Sequence, residues 1–249
     1  MNNDRTPLVA ANWKMNGDRA MARQLVNALV ECVNGGCSAE LVVFPPAILV
    51  DSVVAAAASC VGVGLQNVSQ HSSGAFTGEL SVGMAAEAGC RWSLVGHSER
   101  RALYGETDLQ VAAKFVALQA GGLNPVLCVG ETLEQREAGH TEQVVAAQLA
   151  AVVQLAGVSA VAAAVIAYEP VWAIGTGVTA SPDQAQAVHK FIRQQLGEQG
   201  QTTRILYGGS VNASNAKALF SQPDIDGGLV GGASLDAQEF INVVNAAER

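Results

Sequence analysis

Basic residues are scarce in this chain. Fourteen Lys and Arg stand against 22 Asp and Glu, a formal charge of −8, and no dense basic cluster occurs. Nucleic acid and anionic membrane surfaces are therefore poor partners. Long apolar runs are missing as well. The longest near-apolar stretch, Leu155–Tyr168, is too short to span a bilayer and carries Gly157 and Ser159. The polar opening from Met1 to Thr6 has no secretory apolar region, so a soluble, cytoplasmic protein is expected. The five cysteines (Cys32, Cys37, Cys60, Cys90 and Cys128) are odd in number and form no Cys-x-x-Cys pair. Reduced, mostly buried thiols are expected, not a disulfide framework. The four histidines, His71, His97, His140 and His189, are scattered and offer no ligand cluster, so no metal is expected. No Walker A sequence is present. Gly62-Val-Gly64 continues with Leu-Gln-Asn and lacks the third glycine of a dinucleotide fingerprint.

What the chain has is apolar residues, 49% of 249, enough for a sizeable core. They fall into eight strand-like segments separated by helical ones. The strands are read at Leu8–Trp13, Leu41–Phe44, Val61–Gln66, Trp92–Val95, Pro125–Val129, Val161–Ala167, Arg204–Tyr207 and Gly228–Val230. Helices are read at Asp18–Val33, about Ile48–Ser59, Ser81–Ala88, about Asp108–Ala120, Glu142–Leu155, Ser181–Gly197, Ala213–Phe220 and Asp236–Ala247. No composition shift or Pro/Gly/Ser-rich linker interrupts the series, so residues 1–249 read as one domain. Strict alternation demands a parallel sheet, and eight units in this length favour a closed (β/α)8 barrel over an open doubly wound sheet.

In such a barrel the strand C-termini share one face, where chemistry is built. Period-two alternation in the first strand brings Asn12 and Lys14 out on one side. His97 and Glu99 follow the fourth strand, Tyr207–Ser210 the seventh, and Gly231-Gly232 the eighth. The sixth ends in Tyr168-Glu169-Pro170, and a carboxylate at the mouth of a buried strand is expected to have a raised pKa suited to a general base. After it, Pro170-Val171-Trp172-Ala173-Ile174-Gly175-Thr176-Gly177 has a greasy tip and glycine neighbours, the composition of a closing lid. One cation, one imidazole, one carboxylate and several glycine backbones suit proton abstraction beside a carbonyl in an anionic substrate. Taken singly, each has an ordinary structural reading: a solvated lysine, a hydrogen-bonded histidine, a tight glycine turn.

The run Tyr168-Glu-Pro-Val-Trp-Ala-Ile-Gly-Thr-Gly177 resembles the signature of the triosephosphate isomerase family. Asn12-Trp-Lys14, Gly96-His-Ser-Glu-Arg-Arg101, Tyr207-Gly-Gly-Ser210 and Gly231-Gly232 match further motifs in the family's order, over nearly the whole chain. The resemblance implies a single TIM barrel that interconverts dihydroxyacetone phosphate and D-glyceraldehyde 3-phosphate through an enediolate, without a cofactor, in glycolysis and gluconeogenesis. That family is itself the standard illustration of catalytic pKa tuning, so the roles come with the resemblance. Glu169 would be the base, neutral His97 would polarise the carbonyl, and Lys14 would stabilise the enediolate and phosphate. Asn12, Gly175, Ser210, Gly231 and Gly232 would bind substrate, with Glu99 in support. The loop Asn67–Glu79 resembles an arm that docks in a partner subunit and places Thr77 near its active site, implying a homodimer. Val178 stands where many relatives have Lys, and Val82 replaces a common Pro. Two other readings, a phosphate-binding lyase or synthase and a catalytically silent barrel, would need a second barrel acid or Schiff-base lysine, or the loss of Lys14, His97 or Glu169.

Overall fold

The structure is a computed structural model that describes residues 5–175 and 179–248. Eight strands close into a barrel in sequence order, every neighbouring pair parallel, with β1 against β8. The order is β1 (Leu8–Asn12), α1 (Arg19–Asn34), β2 (Glu40–Phe44), α2 (Val50–Ala56), β3 (Gly62–Leu65), α3 (Val82–Glu87) and β4 (Trp92–Val95). Then come α4 (Ser98–Tyr104), α5 (Asp108–Ala120), β5 (Asn124–Val129), α6 (Leu133–Glu137), α7 (Thr141–Ala156), α8 (Val158–Ala162) and β6 (Val165–Tyr168). The chain finishes with α9 (Pro182–Gln195), β7 (Arg204–Tyr207), α10 (Ala216–Phe220), β8 (Gly227–Val230) and α11 (Ala237–Asn245). No helix among the described residues is long and apolar enough to cross a membrane.

Strand alternation sorts the core into two shells. Leu8, Ala10, Val42, Phe44, Trp92, Leu94, Val126, Cys128, Val165, Ala167, Leu206 and Leu229 fill the barrel. Their odd-numbered or even-numbered neighbours, such as Val9, Ala11, Leu127, Ile166 and Ile205, face outward into the helical layer. The lower end of the interior is plugged by an ion pair between Arg204 and Glu40, with the Arg204 guanidinium 5.7 Å from the centre of the Trp92 ring. At the upper end the same period carries the inward face on to Asn12, Glu169, Gly208 and Gly231.

Most helix starts are side-chain caps. Asp18 accepts the Ala20 and Met21 N–H groups, and Thr107 with Gln110 and Ser181 with Gln184 form reciprocal capping boxes. The differences from the sequence reading lie where apolar runs hide a break. Val161 and Ala162 belong to helix α8, and β6 starts only at Val165. A continuous apolar run has no periodicity that separates buried helix from buried strand; Gly157, at φ +86°, restarts the chain as helix. The helix read from Ile48 to Ser59 is a 3-10 turn over Ala47–Leu49 followed by α2, which stops at Ala56. Helix α10 begins at Ala216, because the Asn212 side chain binds the Ser214 and Asn215 N–H groups in a turn. The short helix α6 was not anticipated. Of the thiols, only Cys90 and Cys128 are buried; Cys32, Cys37 and Cys60 are half-buried.

His189 on α9 is fully buried between the barrel and the helix layer, its ring 5.7 Å from Tyr168 and 6.3 Å from Tyr207. Its Nδ1 lies 3.3 Å from the Asp224 carbonyl and donates to it, while Nε2 has no hydrogen-bond partner. Burial pushes the imidazole down to about 4. The folded state thus binds fewer protons than the unfolded one between that value and 6.5, and stability falls as pH drops through this window. The expected loss is up to about 3 kcal/mol. His189→Asn, which keeps a donor for Asp224, should flatten the slope of denaturation free energy over that range. An unchanged slope would assign the acid sensitivity to other groups.

Candidate active site

At the upper rim the chain must turn its polar side chains inward. Glu169 follows directly on β6, and alternation from Val165 and Ala167 points it into the barrel mouth, where it is 1% exposed. In β4 the same period would bring Gly96 inward. That glycine adopts φ +72°, which interrupts the extended chain and turns His97 in instead. Lys14 also sits in the left-handed region, at φ +52°, a costly conformation for a lysine. Two side chains hold it there: Asn12 Oδ1 accepts the Lys14 N–H at 3.1 Å, and Gln66 Nε2 donates to the Lys14 carbonyl at 2.8 Å.

The expected residues meet. His97 Nε2 is 2.9 Å from Glu169 Oε1 and 3.2 Å from Asn12 Nδ2. Ser98 donates its N–H to Glu169 Oε2 at 2.9 Å and its hydroxyl to Oε1 at 3.4 Å. Lys14 Nζ donates to Glu99 Oε1 at 2.5 Å, so Glu99 is a direct ion-pair partner of the lysine. Asn12, Lys14, His97 and Glu169 line one cavity of about 320 Å³. Its other walls are Ile174 and Gly175, the Gly208–Ser210 turn, and Gly231 with Gly232. A 3-10 turn over Gly232–Leu235 starts at this wall, so the first N–H groups of a helical turn border the cavity.

The electrostatics depart from the sequence reading in one respect. Burial does push Glu169 up, as expected, but the His97 ring and the Ser98 N–H outweigh it, and the carboxyl lies below its ordinary value. For His97 burial pulls the imidazole down, but contact with Glu169 and then Glu99 outweighs it, and the imidazole lies above its ordinary value. Its other nitrogen opposes a second proton. The Glu99 N–H at the start of α4 donates to Nδ1 at 3.2 Å, so a proton there would face another donor. That contact leaves Nε2, beside Glu169, as the nitrogen that carries the ring's proton. Cys128, directly below in the barrel, is pushed well up by burial and then by the Glu169 charge, an inert packing thiol.

The segment read as a lid is bonded at both of its ends. Val171–Ala173 is a 3-10 turn whose Val171 N–H donates to the Glu131 carbonyl at 3.1 Å. Trp172 Nε1 donates to Glu131 Oε1 at 3.0 Å, Tyr168 bonds the same carboxylate, and Arg136 lies 4.5 Å from the Trp172 ring centre. At the far end the Ala180 N–H donates to the Tyr207 hydroxyl at 3.3 Å. Thr176, Gly177 and Val178 lie outside the described residues. The Ser210 N–H is bonded to the Ala173 carbonyl at 3.1 Å, so in this conformation it faces the lid's base. Thr77 is exposed on the 67–79 arm and is not among the residues lining its own chain's cavity.

A sequence profile described as Triosephosphate isomerase matches residues 7–247. The chain belongs to the triosephosphate isomerase family. The triosephosphate isomerase of Alcanivorax borkumensis is 55% identical over 249 residues, covering 98% of this chain and 100% of that one. That of Thiobacillus denitrificans is also 55% identical, with the same coverage. That of Nitrosococcus oceani is 53% identical over 248 residues, covering 98% and 99%.

Within this triosephosphate isomerase framework, three site residues, Ser98, Glu131 and Gly130, escaped the sequence reading, and a fourth, Gly208, was read only as part of the turn after the seventh strand. Ser98 fixes Glu169, and Glu131, fully buried at the end of β5, anchors the lid base. An acid at a strand's C-terminal end was a readable signal for Glu131. Gly130 and Gly208 act through what they lack: a Cβ on Gly130 would sit 1.8 Å from the Glu169 carbonyl oxygen, and one on Gly208 would sit 2.9 Å from Glu169 Cγ. Gly208→Ala should therefore shift the Glu169 carboxylate and cut kcat roughly tenfold to a hundredfold with little loss of stability. Steady-state kinetics beside a thermal melt checks this, and a wild-type kcat would show that the glycine only serves the turn.

Proposed function

We propose that this protein interconverts dihydroxyacetone phosphate and D-glyceraldehyde 3-phosphate through an enediolate, serving glycolysis and gluconeogenesis, with the chain acting as one catalytic domain. The observation that carries this reading is the meeting of Asn12, Lys14, His97 and Glu169 around one cavity whose far wall is glycine backbone. Family membership supports the triose phosphate substrate.

Glu169 removes a proton from one substrate carbon and returns it to the next. In its resting place the Ser98 N–H and His97 hold it as a weak base. Moving to the substrate carbon gives up those contacts while the site stays dry. Burial, the largest influence on this carboxyl, then raises its basicity where the proton is taken. His97 donates its Nε2 proton toward the carbonyl oxygen, where Asn12 Nδ2 converges 3.2 Å from the same nitrogen. Lys14 sets a positive charge against the developing enediolate and the phosphate. The phosphate is taken by backbone N–H groups at Gly231, Gly232 and, as the lid closes, Gly175 and Ser210. The Ser210 N–H now bonded to Ala173 is released to the ligand only when the lid base shifts. Closure also shields an intermediate that would eliminate phosphate in water. Side chains fill every proton-transfer role, so no cofactor is required.

We propose further that the working form is a cytoplasmic homodimer. Beside the catalytic cavity lies an open one of about 570 Å³, lined by Lys14, Met15, Gln66, Glu99, Leu103 and Tyr104. Met15 is 95% exposed, Leu103 72% and Tyr104 71%, a cluster that an isolated chain leaves wetted. A partner's arm, stiffened by the stack of His71 on Phe76 at 4.0 Å, fits this need and would bring Thr77 beside Lys14.

A coupled assay on D-glyceraldehyde 3-phosphate tests the activity. Glu169→Asp retracts the base by roughly 1 Å and should lower kcat about a hundredfold with a nearly unchanged KM; undiminished turnover would remove Glu169 from the role. Met15→Glu should weaken self-association in sedimentation runs and reduce specific activity on dilution. Full activity in a species shown to be monomeric would refute the dimer requirement.

A further inference from the structure

None of the five thiols takes part in the proposed chemistry, yet two of them are built into one turn. Helix α1 ends at Asn34, followed by Gly35 and Gly36. Gly36 adopts φ +98° and donates its N–H to Val33 O at 3.0 Å; Cys37 donates its N–H to Cys32 O at 3.3 Å. This pair of bonds is the Schellman closure, which seats the side chain after the left-handed residue against the one three from the helix end. In most helices that contact is apolar. Here both positions are cysteines, with the Cys37 thiol donating to the Ala39 carbonyl at 3.6 Å. Both residues are half-buried against the outer shell, open to a small oxidant, whereas Cys90 and Cys128 are buried. A disulfide needs Cα atoms about 4.4–6.8 Å apart, a span compatible with a direct backbone hydrogen bond between the two residues.

We infer that Cys32 and Cys37 form a modification site, a dithiol that a two-electron oxidant of the peroxide class closes reversibly to a disulfide. Burial, and then the adjacent Cys37, push Cys32 up to about 11, so Cys32 rests as the thiol and Cys37 is the sulfur that reacts first. The Cys37 sulfur attacks hydrogen peroxide; its S–H proton leaves with one oxygen as water, the O–O bond breaks and an S–O bond forms. The Cys32 sulfur then attacks the Cys37 sulfenic acid; the S–S bond forms, the S–O bond breaks, and hydroxide leaves as water with the Cys32 proton. Two thiols and one peroxide give one disulfide and two waters. The α1–β2 turn lies at the strands' N-terminal end, opposite the catalytic rim, so closing it leaves Lys14, His97 and Glu169 in place. The clip pins the end of α1 and not the active site, and it is independent of the catalytic reading.

Cleavage after Glu31 and Glu40 isolates both cysteines in one peptide, residues 32–40, free of Cys60, Cys90 and Cys128. The full chain is treated with graded hydrogen peroxide, alkylated with iodoacetamide, digested and weighed. The expected result is a 32–40 peptide two hydrogens lighter and unalkylated, regaining two labels after dithiothreitol, while Cys60 is still labelled. Isomerase rate should be unchanged across the same samples. Cys37→Ser should leave Cys32 labelled at the same dose, since the first-reacting sulfur is gone. A doubly labelled 32–40 peptide when Cys60 is already oxidised, or an irreversible sulfinic acid within it, would overturn the assignment. Oxidation of Cys32 in Cys37→Ser at the wild-type rate would overturn the order of attack.

Discussion

The constraint that orders this molecule is the removal of one carboxylate, that of Glu169, from water. An ion buried this completely costs several kcal/mol unless fixed donors replace its hydration. Here the donors are the first N–H of α4 and the imidazole before it, both supplied by the chain as it leaves β4. The same helix start gives Nδ1 of His97 its N–H, so one short turn both stabilises the resting carboxylate and leaves the ring's proton on the nitrogen that faces Glu169. In the proposed mechanism the contacts that make Glu169 a poor base at rest are the ones it would leave on moving to the substrate. Basicity would thereby be tied to position, and a base that is strong only beside its carbon acid has less chance to be protonated by solvent.

Position in turn rests on strand alternation in a closed barrel. Leu8 and Ala10 lead to Asn12, Val165 and Ala167 to Glu169, Leu206 to Gly208, and Leu229 to Gly231. Because every strand is parallel to the next, those inward ends meet at one rim. Two residues depart from regular extended geometry, Gly96 and Lys14, both with positive φ. At Gly96 the departure is permitted by the missing Cβ. At Lys14 it is imposed on a side chain that resists it, and the Asn12 and Gln66 bonds that hold it come from two different strand ends. At the rim the strain falls where a cation is turned toward the cavity; the other non-glycine residues with positive φ, Ala58 and Ser59, lie in the turn between α2 and β3.

The sequence made the barrel legible because alternation between strand and helix survives in composition alone, and it made Asn12, Lys14, His97 and Glu169 legible because polar residues at strand ends stand out. What it hid had physical causes. Val161 and Ala162 are apolar on all sides, and nothing in such a run distinguishes α8 from β6. The shorter of the two Ser98 bonds to Glu169 comes from its main chain, which carries no residue signature. Gly208 acts through an absent Cβ, and glycine in a turn has an ordinary explanation ready. The lowered carboxyl of Glu169 was unreadable for the same reason: burial follows from position in a strand, but the opposing Ser98 and His97 contacts depend on how two loops meet in space. The Schellman contact of Cys32 with Cys37 was likewise invisible until Gly36 took its left-handed turn.

In the proposed mechanism, chemistry and closure are linked through shared hydrogen bonds at the base of the lid segment. Its first end is tied to Glu131 through the Val171 N–H and the Trp172 indole, and the Ser210 N–H is held by the Ala173 carbonyl. Glu131 is fully buried, so its bonds are not traded for water at small cost. A phosphate arriving at the Gly231-Gly232 wall competes with Ala173 for Ser210. As a dianion it is the stronger acceptor, since hydrogen bonds to ionised groups are about twice as strong as neutral ones. In the proposed mechanism the ligand thus supplies the free energy that loosens the base of the lid segment, at a place adjoining Pro170 and Glu169 in the chain. Because Glu169 immediately precedes that segment, a displacement there would bear directly on the carboxylate. Binding at the phosphate end and proton abstraction at the other end would then be two consequences of one backbone exchange.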